Sequence, residues 1–137
     1  MRELTGALRG LCWSWAAAAA AVHLYFGGTG FPEPIQMRGF HLLVFTPLLF
    51  LLYPATRWSA KHRPTVFDCL WAVAAALPHA WVMWNWMAVA DRMEYVDEFT
   101  PVMMVLGIVA IVTLLEAIRR AVEPGLAIMV GISLAYM

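Results

Sequence analysis

The residues of this 137-residue chain whose types and spacing could do chemistry are four histidines, two cysteines, one asparagine and one acidic–basic triplet. His23 lies near the end of one long apolar run and His41 near the start of the next. Two imidazoles at matched depth on neighbouring helices can clamp a haem iron; the plainer alternative is that each ring hydrogen-bonds to backbone or interfacial water. His79 follows Pro78 deep in a third apolar run. An ionisable group there is a functional candidate by default, weighed against a bonded packing histidine. Asn85 can hydrogen-bond across helices as packing glue or serve as a transport ligand, and packing is the simpler role. His62 belongs to a basic stretch, where headgroups and water are its natural partners.

Glu116 precedes Arg119 by three residues and Arg120 by four, spacings that place all three on one helical face. They can form a structural ion pair, anchor a helix end at an interface or orient a partner subunit. No nucleophile, metal set or second carboxylate converges on them, so a structural or assembly role outweighs catalysis. Cys12 and Cys69 form no paired motif, which leaves no zinc or iron–sulfur signature. Phosphate-cradling glycine loops and metalloprotease spacing are missing as well. The expectation is a protein that is not an enzyme, with no cofactor and no metal site.

Composition sets what must position these residues. Hydrophobic residues make up 63% of the chain and charged ones 13%, about half the share of an ordinary globular domain. Nine basic and nine acidic residues balance to zero, which leaves no excess for a nucleic-acid surface and points to lipid as a partner. Charge-free intervals of 23, 18, 22 and 17 residues separate Arg9 from Glu33, Arg38 from Arg57, Asp68 from Asp91 and Glu98 from Glu116. Each approaches the roughly 17–25 residues that cross a hydrocarbon core as a helix. The predicted fold is all-α and polytopic, with four transmembrane helices and a fifth, truncated apolar helix over 124–137. The first run follows Arg2 and Arg9 as a signal peptide would, but its apolar character continues to Phe26, too long for a signal core and sufficient for a retained span.

Positive charges predict the orientation. Arg2, Arg9, Arg57, Lys61, Arg63, Arg119 and Arg120 fall on one side, and only Arg38 and Arg92 on the other, so the amino terminus is expected in the cytoplasm. Glu33, Asp91, Glu94, Asp97 and Glu98 then form an acidic outer rim. The segment from Gly27 to Pro34, the pair Pro54 and Pro64, and Thr100-Pro101 mark helix ends. Trp13, Trp15, Tyr53, Trp58 and Trp71 at one interface and Tyr25, Trp84, Trp86 and Tyr95 at the other read as aromatic belts. Ala16–Ala21 is either a surface for close helix approach or simply a small, lipid-compatible stretch.

Two stretches carry a family resemblance: HLYFGGTGFPEPIQMRGFHLLVFTPLLFLLYPA over 23–55, above all its glycine-rich turn leading to Gln36-Met37-Arg38 with His41 and its helix end Leu51-Leu52-Tyr53-Pro54-Ala55, and LLEAIRRAVEPGLAIMVGISLAYM over 114–137, above all Leu115-Glu116-Ala117-Ile118-Arg119-Arg120. Together they resemble the amino-terminal membrane part of tripartite ATP-independent periplasmic (TRAP) transporters, in particular the fused permeases of the TAXI subfamily. The resemblance implies a small-subunit-like four-helix domain over 1–120 and the truncated start of a joining helix over 121–137. It further implies a bacterial inner-membrane location and two partners, a large carrier subunit or domain and a periplasmic substrate-binding protein. In such importers an ion gradient drives uptake of an organic acid through the carrier. The part resembled here is scaffold-like and not transport-competent alone, with Glu116, Arg119, Arg120, Arg38 and His41 as structural or assembly candidates. Glu123 departs from the small or neutral residue expected at its position. The rival from a different class is a small haem- or quinone-linked membrane subunit using His23 and His41.

Overall fold

The computed structural model describes residues 2–30, 33–56, 59–60, 62–93 and 96–136. They form six helices: α1 (Gly6–Thr29), α2 (Pro34–Leu52), α3 (Val66–Trp84), α4 (Trp86–Ala90), α5 (Pro101–Ala121) and α6 (Pro124–Tyr136). No strand occurs among the described residues. Arg57, Trp58, Lys61, Glu94 and Tyr95, assigned above to loops and aromatic belts, lie outside them.

Local chemistry fixes the helix starts. Thr65 opens α3 with a reciprocal capping box: its hydroxyl accepts from the Asp68 backbone N–H, and the Asp68 carboxylate accepts from the Thr65 N–H at 2.9 Å. Thr100 caps α5 by accepting from the Met103 N–H, with Pro101 in the first turn, where its missing donor costs nothing. At the start of α2 the Glu33 carboxylate accepts from the Ile35 N–H, ahead of Pro34. Gly30 ends α1 at φ +100°, a backbone conformation that glycine adopts without a Cβ penalty.

The helices overrun the charge-free intervals at several ends. α2 begins before Arg38, α3 before Asp68, and α5 continues past Glu116 to include both arginines. The third interval is also not one helix. Asn85, at φ −108° and ψ 30°, interrupts it and leaves the five-residue α4 beyond the break.

α2, α3 and α5 are long and apolar enough to cross a membrane. At 1.5 Å per residue their 19 to 21 residues measure about 28–32 Å, the thickness of a hydrocarbon core. α1 is longer, at 24 residues, but its serine, histidine, tryptophans and glycines dilute its apolar character, and it is not among the three. α6, at 13 residues, is too short to span. The described residues are thus all-helical apart from loops, with three candidate spans where the charge-free intervals predicted four.

Packing is inside-out relative to a water-soluble domain. The core cluster sets small side chains, Ala72 and Ala75 of α3 and Ala117 of α5, around Phe50 of α2, with Thr113 of α5 also buried. Leucines, valines, isoleucines and tryptophans face outward in number, among them Leu24, Val66, Leu70 and Trp84. In lipid an apolar side chain gains nothing by turning inward, so small residues that let backbones approach are favoured between helices. The Thr113 hydroxyl donates within its own helix to Val109 O at 2.8 Å, which allows a polar side chain to be buried there. Of Ala16–Ala21 only Ala19 is buried. That stretch is thus mostly an outer surface, and close helix approach happens elsewhere.

One close approach lies between α2 and α3. A Cβ built on Gly39 would sit 3.2 Å from the Met83 backbone N and 3.3 Å from His79 O, whereas one on Gly107 of α5 meets nothing within 4 Å. Alanine in place of glycine raises helix propensity by about 1 kcal/mol, and overpacking against backbone costs about 1–3 kcal/mol. Gly39→Ala is therefore expected to lower, and Gly107→Ala to raise, the midpoint of thermal unfolding in detergent. Equal behaviour of the two variants would contradict the tight α2–α3 contact.

Candidate assembly site

Three helix ends meet at one end of the bundle: the last turns of α2 and α5 and the first turn of α3. The two C-terminal ends present carbonyls without helical partners and a partial negative charge, and the α3 N-terminus presents the opposite. The chain answers with three arginines and two carboxylates. Asp68, fully buried in the first turn of α3, forms ion pairs with the Arg2 Nη2 and, at 2.7 Å, with the Arg120 Nη1. Its Oδ2 also accepts from the Thr65 hydroxyl at 2.6 Å.

Arg2 reaches this site from the amino-terminal segment ahead of α1. Its backbone N–H donates to Leu52 O at 2.8 Å, its Nη1 to Leu51 O at 2.9 Å and its Nε to Ala60 O at 3.1 Å, so one side chain satisfies the end of α2 and ties down the following loop. Arg120 lies over the Phe50 ring at 4.8 Å and donates through Nε to Glu116 Oε1 at 2.7 Å. Arg119 grips the same carboxylate through Nε and Nη2, both at 2.7 Å, and its Nη2 also donates to Ala55 O at 2.9 Å. Apart from the backbone bond from Arg2 to Leu52 O these bonds are charge-assisted, and such bonds are shorter and stronger than neutral ones.

The Glu116, Arg119 and Arg120 triplet is therefore one half of a larger network that also contains Arg2 and Asp68. The spacing of the triplet was visible in the sequence, whereas the pairings of Asp68 with Arg2 and Arg120 join positions 66 and 52 residues apart. One signal was available: Thr65-x-x-Asp68 before an apolar run is a capping-box pattern, and it marks Asp68 as part of a helix start. The two arginines of the triplet differ in kind. The Arg120 side chain is fully buried, while that of Arg119 is 41% exposed.

The other candidates fall elsewhere. His23 and His41 do come together: the His23 Nε2 lies 3.0 Å from the His41 Nδ1, with the ring centroids 5.1 Å apart and Phe40 and Phe45 beside them. The His23 Nδ1 meets Ala19 O at 2.7 Å and so carries the proton there. An iron between two imidazoles separates the ligating nitrogens by two metal–nitrogen bonds, each on the order of 2 Å as in zinc sites. The direct hydrogen bond fills that space. Arg38 is exposed on α2. Asn85 turns its amide back to Trp81 O of its own helix at 3.0 Å rather than across to a neighbour. His79 is buried in α3 with its Nε2 unpartnered, and the exposed His62 approaches Glu3 O at 3.3 Å. No group of three or more metal-ligating side chains occurs among the described residues.

The class defined by this fold and site is a helical protein of membrane character, held at one end by a buried ion-pair network. Compared with protein-family models, curated proteins and solved structures, the chain matches none.

Proposed function

We propose that this chain is the scaffold-like membrane component of an ion-gradient-driven, binding-protein-dependent importer of organic acids, of the TRAP type, and that it does not transport alone. On this reading α1 joins α2, α3 and α5 as a fourth span, the network end faces the bacterial cytoplasm, and 121–137 begins the connection to a carrier. The observation that carries the proposal is how the charges are used. Asp68, Glu116, Arg2, Arg119 and Arg120 are all paired within the chain, where they hold helix ends together, while the outer faces of α3 and α5 are apolar. A secondary transporter instead directs polar groups and paired broken helices at a midplane site. The break at Asn85 is a single one, followed by only five helical residues. The hydrogen bond between His23 and His41 favours this reading over a haem-linked subunit, since it joins the rings directly.

Proteoliposomes test the proposal. Residues 1–137 alone, supplied with a binding protein and a sodium gradient, are expected to accumulate no organic acid, and addition of a TRAP-type carrier that co-purifies with the colourless chain is expected to restore uptake. Gradient-driven accumulation by the short chain, or a Soret band in the purified protein, would overturn the scaffold role.

A further inference from the structure

At the end of the bundle opposite the ion-pair network, the contact between His23 of α1 and His41 of α2 is the one side-chain hydrogen bond joining these two helices among the described residues. Among the helices, α1 packs against α2 alone. Phe45 lies against both rings, its centroid 5.4 Å from that of His23 and 4.7 Å from that of His41. What each nitrogen faces fixes the protons of the neutral pair. Ala19 O can only accept, so the His23 Nδ1 is protonated and its Nε2 carries a lone pair. The 3.0 Å contact then makes the His41 Nδ1 the donor. Of the four ring nitrogens, the His41 Nε2 is left as the one that can accept a proton without losing a bond. His41 is exposed, whereas His23 is half-buried.

We propose that His23 and His41 form a site for a single proton, which enters at the His41 Nε2 and makes the bond from His41 Nδ1–H to His23 Nε2 charge-assisted. A second proton would have to sit on the His23 Nε2, the acceptor of that bond. It would break the contact and set two cations side by side, with ring centroids 5.1 Å apart. The His23 Nδ1–H is closed off by Ala19 O, so the pair holds a proton and does not pass it along α1. The nearest charge on α2 is the exposed Arg38, three residues and about 4.5 Å along the helix from His41. The Glu33 carboxylate is taken up by the Ile35 N–H at 2.7 Å. On α1, Tyr25 lies about 200° around the helix from His23, and Arg9 and Cys12 lie toward the network end. α3 meets the other side of α2, where His79 O approaches Gly39, about 200° around the helix from His41. α4 carries no titratable side chain, and Glu116, Arg119 and Arg120 of α5 belong to the network end. The inference goes beyond the scaffold role and does not rest on it.

Histidine-selective nitrogen NMR on the full chain in micelles counts the ring protons and provides the test. From about pH 8 to about pH 5, the range in which imidazoles ordinarily charge, the pair is expected to pass from two protonated nitrogens to three, the gain falling on the His41 Nε2. Proton uptake over the same range supplies a second measurement. The original chain is expected to take up one proton more than the double variant His23→Gln/His41→Gln. The single variant His23→Gln, whose amide oxygen still accepts from the His41 Nδ1–H, is also expected to take up one more. Removing the first histidine thus costs nothing and removing the second costs the whole uptake, whereas two independent imidazoles would each contribute. The ring-proton count needs no substitution and holds even where a variant fails to fold. Four protonated nitrogens at the acid end of the range, a pair that stays at two, or an excess of two protons over the double variant would overturn the site.

Discussion

Asp68→Asn is expected to destabilise the folded chain by about 3–5 kcal/mol, the cost typical of removing one partner from a buried ion pair. The carboxylate is fully buried and serves both Arg2 and Arg120, whose side chains are also fully buried. Asparagine keeps the size but loses the charge and replaces one acceptor oxygen with a donor, which then confronts the Thr65 N–H, the Thr65 hydroxyl or an arginine. The Arg2 guanidinium would remain without a counter-charge and Arg120 would keep only Glu116, in a setting where neither arginine side chain reaches water. Denaturant unfolding in micelles, followed by helix signal, measures the loss, and a change below about 1 kcal/mol would show that the network behaves like a surface pair. Arg2→Gln in the Asp68→Asn background adds a second check. Partners in one network are not additive, so the double variant should lose clearly less than the sum of the two single losses.

The positions of the helices were largely legible because lipid-facing residues announce themselves as long charge-free runs. The same rule hid the centre of the site. Counting treats each charge as a boundary, and Asp68 accordingly marked the start of a span and Arg2 an orientation signal, although both are buried inside the bundle. Their pairing depends on α3 running back alongside α5 and on the amino-terminal segment folding over the end of α2, relations between positions far apart in the chain. The approach of His23 to His41 could be read from matched depth, but ring contact at 3.0 Å depends on helix rotation, which neither run specifies. The break of α3 at Asn85 was hidden because its apolar neighbours Trp84 and Trp86 prolong the hydrophobic run past the end of the helix. Interhelical glue was the expected role for its amide, and the broken backbone beside it leaves that amide capping Trp81 O instead.

Arg119 and Arg120 look equivalent in sequence and are expected to separate on mutation. Arg120→Gln removes a fully buried cation shared by Asp68 and Glu116 and lying over Phe50, so each carboxylate loses one of its two arginines, the fully buried Asp68 keeping only Arg2, and a loss of about 3–5 kcal/mol follows. Arg119→Gln removes a cation whose side chain is 41% exposed and whose carboxylate partner is still held by Arg120. Screened pairs of that kind contribute about 0–1 kcal/mol, and the fold should survive with its unfolding midpoint almost unchanged. If the network end is where the proposed carrier docks, Arg119 is the group of the triplet with room to meet it. Arg119→Gln should then reduce recovery of the carrier complex while leaving both the fold and the substrate affinity of the remaining complex intact. Arg120→Gln should lower complex recovery only in proportion to the folded chain lost. Equal destabilisation by the two substitutions would contradict the division between a buried and an outward arginine, and full complex recovery with Arg119→Gln would remove the docking role from this end of the bundle.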